Sequence, residues 1–169
     1  MTLEDAIREL EQKSLKTDSI MYSDSGSEIY KINQEFSPGS LVTFGPFSKT
    51  TTLYDNMYKV ISMVEETPTG WKNDLTQQSS NPKIIRAKLA DDPRFLYENF
   101  KSDITQTGKG TFVLETHKTK GFLGLPELSF RAEFYLRQDG SLEKIISGVY
   151  AGYNNGKKSW AAFHSETKF

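Results

Sequence analysis

The stretch THKTKGFLGLPELSFRAEFYLRQDGSLEKI, residues 116–145, decides the fold class of this chain. Between Leu128 and Arg137 the residue types alternate. Leu128, Phe130, Ala132, Phe134 and Leu136 leave one side, and Ser129, Arg131, Glu133, Tyr135 and Arg137 the other. A period of two is the signature of a strand, because successive side chains point to opposite faces. Asp139-Gly140 then reverses the chain, since glycine accepts the positive φ of a tight primed turn. Residues 128–137 and 142–151 are therefore predicted to pair as an antiparallel hairpin. Its apolar face must be covered by helices or by a second subunit. Its other face carries Arg131, Glu133 and Tyr135, an unusual trio for a purely structural wall.

Working outward, Thr111–Lys118 reads as a neighbouring strand that ends at Thr116-His117, before the Gly/Pro-bounded corner Gly121–Pro126. A strand over about 95–104, turning at Gly108-Lys109-Gly110, precedes it. Asp92-Pro93 also has the form of a helix cap and first residue, which leaves a helical start open. After a turn at Asn154-Asn155-Gly156, Trp160–Thr167 closes the sheet. At the other end, residues 2–15 form the best helix, with Thr2 as cap and Leu3, Ala6, Ile7 and Leu10 on one stripe. Residues 17–28 read as a loop, and 29–36 as either helix or strand. Leu41–Phe44 is a short strand stopped by Gly45-Pro46. Leu53–Glu66 is read as a second helix, with Leu53, Met57, Val60, Ile61 and Val64 on one side, although its β-branched content also permits a strand. A polar, mobile segment is expected at 67–82, and a strand at 83–89.

These features resemble one family. A strand ending in Thr116-His117, the corner Phe122, Gly124, Leu125 and Pro126, an alternating strand and the Asp139-Gly140 turn look like the C-terminal half of the SnoaL-like polyketide cyclases. Those belong to the nuclear-transport-factor-like, ketosteroid-isomerase-like superfamily. The resemblance implies an α+β fold: a cone-shaped barrel with N-terminal helices packed on a curved, mainly antiparallel sheet. It also implies cofactor-free proton abstraction next to a carbonyl of a hydrophobic polyketide- or terpenoid-like substrate. Glu133 stands where the family's catalytic aspartate falls. By the same resemblance Glu133 would be the base, with His117 and Tyr135 stabilising a developing oxyanion.

Composition is consistent with one soluble domain spanning 1–169. The net charge of −1, from 21 basic and 22 acidic residues, gives no electrostatic footprint for nucleic acid or an anionic membrane. No apolar run approaches the ~20 residues that span a bilayer. The chain has no cysteine, so neither a disulfide framework nor a thiolate ligand is available. A cytoplasmic protein without cofactor is expected. Thr107-Gly108-Lys109-Gly110-Thr111 lacks the spacing of a phosphate loop. His117 and His164 lack metal-ligand spacing, and no Gly-x-Ser-x-Gly elbow occurs.

The residues taken by themselves leave two readings open. In one, Glu133 points into a pocket where desolvation raises its pKa toward that of a general base, beside His117. Arg131, Tyr135, Phe122 and Trp160 would then contact a hydrophobic ligand. In the other, Glu133 pairs with Arg131 on a solvated face, His117 is a strand-end histidine, and the fold is a non-catalytic binding or dimerisation module. A homodimer through Phe130, Phe134 and Leu136 is expected, because two helices at most can cover one side of the sheet; the competing outcome is that this apolar face is the inner one and Arg131, Glu133 and Arg137 face water.

Overall fold

The computed structural model describes residues 2–121, 123, 127–154 and 157–169, with only the backbone of 153 and 154. Helix α1 (Leu3–Glu11) starts on a capping box. The Thr2 hydroxyl accepts from the Asp5 amide, and the Asp5 carboxylate accepts from the Thr2 amide. Strands β1 (Leu15–Ser23), β2 (Glu28–Ser37), β3 (Ser40–Phe44), β4 (Lys49–Tyr54), β5 (Val60–Glu66) and β6 (Lys72–Asp74) follow as an antiparallel meander. A helical segment crosses next: α2 (Pro82–Ile84), a π-helical turn (Ile85–Leu89) and α3 (Pro93–Phe100). A second meander completes the chain, with β7 (Ile104–Gly108), β8 (Thr111–Thr119), β9 (Leu128–Leu136), β10 (Leu142–Asn154) and β11 (Lys157–Lys168).

Strand β1 pairs with β11, so among the described residues the two meanders form one 11-stranded antiparallel sheet with β6 and β7 at its edges. The sheet is rolled but not closed. Met63 on β5 and Leu114 on β8 each lie one strand in from opposite edges, yet both are fully buried in one core. Only a sheet curled around its own helices brings such wings together. The core holds Leu3, Ile7 and Leu10 of α1, Phe95 and Leu96 of α3, and Phe36, Leu41, Phe130, Phe134 and Ile145 of the sheet.

Arg94 ties the helices to the sheet. It is 0% exposed, and all five of its side-chain N–H groups are used. Nε and one Nη grip both Asp92 oxygens at 3.0 and 2.9 Å, and further bonds reach Glu11 (2.8 Å) and the carbonyls of Ser37 (2.6 Å) and Ser40 (2.7 Å). Burial alone would lower its pKa, but the charge of Asp92 and its hydrogen bonds, with Glu11, more than reverse that. Glu11 also accepts from the Gly39 amide at 2.8 Å, so α1, α3 and the β2–β3 turn share one ionic knot.

This architecture corrects the expected cone-shaped α+β barrel: the protein is mostly a large open antiparallel sheet with short helices inside its curve. The 128–137/142–151 hairpin and the strand at 41–44 form as the sequence indicates, and the N-terminal helix forms but ends at Glu11 rather than reaching 15, where β1 begins. Leu53–Glu66 is not a helix. The Asp55 carboxylate accepts from the Met57 and Lys59 amides, Tyr58 takes a positive φ of 56°, and the chain turns from β4 into β5. Residues 17–28 contain most of β1 rather than a loop, and 29–36 are strand. Residues 83–89 are helical rather than strand. Phe95–Phe100 is helical because Asp92 caps it, accepting from the Arg94 amide at 3.0 Å with Pro93 at the first position. Within 67–82 the chain forms β6 and a 3₁₀ turn. Of the 121–126 corner, Phe122, Gly124, Leu125 and Pro126 lie outside the described residues, as do Asn155 and Gly156 of the last turn.

Candidate functional site

The strand alternation divides the sheet into a concave face, toward the helices, and an outer face. On the concave face of its central strands the sequence places polar residues: Ser19 on β1, Gln34 on β2, Ser147 on β10 and Thr167 on β11, all buried. They converge on Asp91, which the loop between the π-helical turn and α3 lowers onto the sheet. Ser19 and Ser147 approach its carboxylate at 3.3 Å, and Gln34 at 3.5 Å. The Thr167 hydroxyl also pulls on Asp91, although it makes no well-aligned bond there. Burial pushes the Asp91 pKa up, and these donors offset that only in part.

Asp91 forms the floor of an open cavity of about 480 Å³. Met21, Tyr30, Ile32, Pro46, Phe47 and Phe163 supply apolar wall, and Arg86 and Lys88 stand on the helical side. Burial, then the charge of Asp91, raises the Tyr30 pKa. Lys88 is engaged by Glu65 at 2.6 Å, and Glu65 also accepts from Ser48, which fixes the turn carrying Phe47. Volume and lining match the usual small-molecule site, apolar walls with a few polar groups that fix orientation.

Asp91 was not singled out by sequence, yet a signal existed. In Asp91-Asp92-Pro93 the helix start needs only Asp92, so a second aspartate before it requires another reason. The four partners sit at alternate strand positions where an apolar residue is expected.

The residues that sequence did single out are spread over two sides. Glu133 lies on the outer face, opposite Phe130, Ala132 and Phe134 of the core, and is 3% exposed because its partners enclose it. Lys158 (2.7 Å) and Arg131 (2.8 Å) hold one oxygen, and the Tyr135 hydroxyl (2.8 Å) holds the other. Burial raises its pKa, but these three donors outweigh burial and leave it below the ordinary glutamate value. Tyr135 is correspondingly pushed up to about 12 by burial and by its bond to Glu133. Arg131 also meets Glu115 at 3.4 Å and lies 4.5 Å over the Tyr150 ring. The aromatic row continues through Trp160, 5.6 Å from Tyr150, to His164 and Tyr22. Burial lowers the His164 pKa.

His117 is elsewhere. At a positive φ of 56° its ring meets Phe100 edge-on at 5.4 Å. It lines a shallow cleft of about 350 Å³ with Val60, Ile85, Phe95 and Asn99, and its Nε2 is buried without a partner among the described residues. The structure therefore does not bring Glu133 and His117 to one pocket. Phe122 lies outside the described residues. Phe130 and Phe134 are buried under the chain's own helices, so the face expected to pair two copies is already covered.

Among the described residues no group of His, Asp or Glu side chains is arranged to hold a metal ion, and no helix is long and apolar enough to cross a membrane. A scan against protein-family models finds no family that matches the chain, and a search of curated proteins finds no match.

Proposed function

We propose that the protein binds a small amphiphilic molecule in the Asp91 cavity and does not transform it. The observation that supports this reading is the cavity itself: about 480 Å³, apolar at its walls, with a carboxyl group of raised pKa at its floor. A carboxyl whose charged form is disfavoured donates a hydrogen bond to a ligand carbonyl or accepts one from a ligand hydroxyl, and a ligand ammonium would supply the countercharge that its ionised form lacks. The hydroxyls of Ser19 and Ser147 keep its orientation fixed. The rival reading, proton abstraction by Glu133, asks for a base with a raised pKa and access to substrate. Glu133 is instead held ionised by three donors on the outer face.

Displacement of a fluorescent apolar probe by dodecanol, dodecanoic acid and dodecylamine tests the binding reading and reports the preferred head group. Saturable displacement should occur in the parent and vanish in Ser165→Trp, which fills the cavity. Absence of saturable binding for all three ligands, or equal binding in Ser165→Trp, would overturn it.

A further inference from the structure

The cavity opens at one end of the rolled sheet, and that end carries its own chemistry. In an antiparallel meander successive turns alternate ends, so the β3–β4 turn (Gly45–Ser48) and the β5–β6 turn (Thr67–Trp71) project from the same end. Each carries a large exposed aromatic residue: Phe47 at the tip of its turn is 81% exposed, and Trp71, in the pair that closes its turn, is 77% exposed. Two strand spacings put the two turns roughly 10 Å apart. Phe163, half exposed on β11, faces the same mouth, and Phe47 and Phe163 both line the cavity.

Neither turn is slack. Gly45 donates to the Ser48 carbonyl at 2.8 Å, and the Ser48 hydroxyl is anchored on Glu65. Thr67 donates to the Trp71 carbonyl at 2.9 Å, and its hydroxyl accepts from the Trp71 amide at 3.2 Å. The rings are therefore presented to solvent by closed turns. Each is followed by a lysine at the strand start, Lys49 and Lys72, with Glu66 between them in the ladder. Arg86 lines the mouth nearby. At the turn end Lys49, Lys72, Arg86 and Lys88 stand against Glu65, which pairs with Lys88, and Glu66, while Asp74 lies further along β6 and Asp91 at the cavity floor.

We propose that this rim docks the protein on an anionic lipid bilayer, so that the cavity exchanges its ligand with the membrane; the exchange rests on the binding reading above. Isolated ring tips flanked by lysines suit an interface in which rings enter the acyl boundary and ammonium groups stay at the phosphates. The neighbouring turn from Ser23 to Ser27 carries Asp24, with Glu28 just beyond. Docking is therefore tilted onto the β3–β6 wing.

The test is co-sedimentation with vesicles of phosphatidylcholine alone or with phosphatidylglycerol. The parent should bind the phosphatidylglycerol vesicles more tightly, with affinity falling as salt rises. Trp71→Ser should weaken that binding at least tenfold while leaving dodecanol displacement unchanged, because Trp71 does not line the cavity. In a Trp160→Phe background, Trp71 emission should shift to the blue on vesicle binding. Failure to bind either vesicle, or unchanged binding in Trp71→Ser, would overturn the docking. So would a concentration-dependent dimer lost in Trp71→Ser without vesicle binding, which would assign the rim to a second copy. Vesicle binding without any ligand displacement would leave the docking standing and remove the ligand.

Discussion

Replacing Arg94 by methionine removes a fully buried guanidinium and leaves its partners behind. Asp92, also fully buried, loses its countercharge and both charge-assisted bonds. Two carbonyls, of Ser37 and Ser40, lose donors as well. Breaking one side of a buried ion pair costs about 3–5 kcal/mol, mostly the penalty of the stranded charge. Glu11 keeps partial exposure, so its share is screened and adds little. The carbonyls and the lost ring contacts with Phe36, Tyr54 and Tyr58 bring the loss to about 4–6 kcal/mol. Against a typical stability of about 5–15 kcal/mol, Arg94→Met should lose from about a quarter of it to all of it. Urea denaturation should show a large drop in midpoint with an unchanged slope. The stranded charge is separable from the lost packing. Asp92→Asn keeps an Ncap oxygen for the Arg94 amide but removes the charge, so Arg94→Met with Asp92→Asn should be more stable than Arg94→Met alone. A cost below about 1 kcal/mol for Arg94→Met, or strict additivity of the two changes, would refute the ionic knot as the link between helices and sheet.

Asp91→Asn should raise Tm at neutral pH, because burial of the charged form opposes folding. Its folded pKa lies above the unfolded value of 3.8, so the parent loses stability as pH rises from there through the folded pKa. The gap to Asp91→Asn should therefore open over that window and stay constant above it. Glu133→Gln should destabilise by about 1–2 kcal/mol at neutral pH, since Lys158 is partly exposed and Arg131 keeps Glu115, while leaving ligand displacement intact. Loss of displacement with normal folding would instead favour a functional Glu133. Gly148→Ala puts a Cβ 3.1 Å from Trp160 Cε3, His164 Cβ and the Phe163 carbonyl, so chemical denaturation should report a loss of about 1–3 kcal/mol. His164 has a folded pKa below 6.5, and it should contribute stability that is lost as pH falls from 6.5 through that value, measurable by NMR titration of its ring.

The second meander was legible because its strands obey the simple rule. Phe130, Ala132 and Phe134 face the core, and the residues between them face out. The first meander was not, and β1 shows why. Its concave positions include Leu15, Thr17, Ser19 and Met21, while Lys16, Asp18, Ile20 and Tyr22 point outward, so each face mixes apolar and polar residues and neither carries the clean signal of a half-buried strand. The segment 53–66 failed for a different reason. Apolar residues on two adjoining strands, Leu53 and Val60 with Ile61 and Val64, fall by chance at helical spacing, and the period does not register the Asp55 turn between them. At 93–100 the local cap outweighed an alternation of Phe95, Tyr97 and Asn99 that had no partner strand to fulfil it.

The mixed faces of β1 and the candidate site have one cause. A strand facing an ordinary core carries apolar residues inward, because burying an unpaired hydroxyl costs free energy. Ser19, Gln34, Ser147 and Thr167 are inward-facing because Asp91 descends from the helical layer to meet them. The sequence therefore loses its strand signal at the place where the structure gains a polar floor. Glu133 illustrates the converse. Its strand reads clearly, and its setting among Arg131, Tyr135 and Lys158 satisfies every demand of a structural carboxylate. Glu133 is closed off by its donors, whereas Asp91 is half-buried and opens onto a cavity of about 480 Å³, with burial outweighing its donors. A carboxyl both open to a cavity and short of donors is the one with capacity to bind, which favours Asp91 over Glu133 as the candidate site.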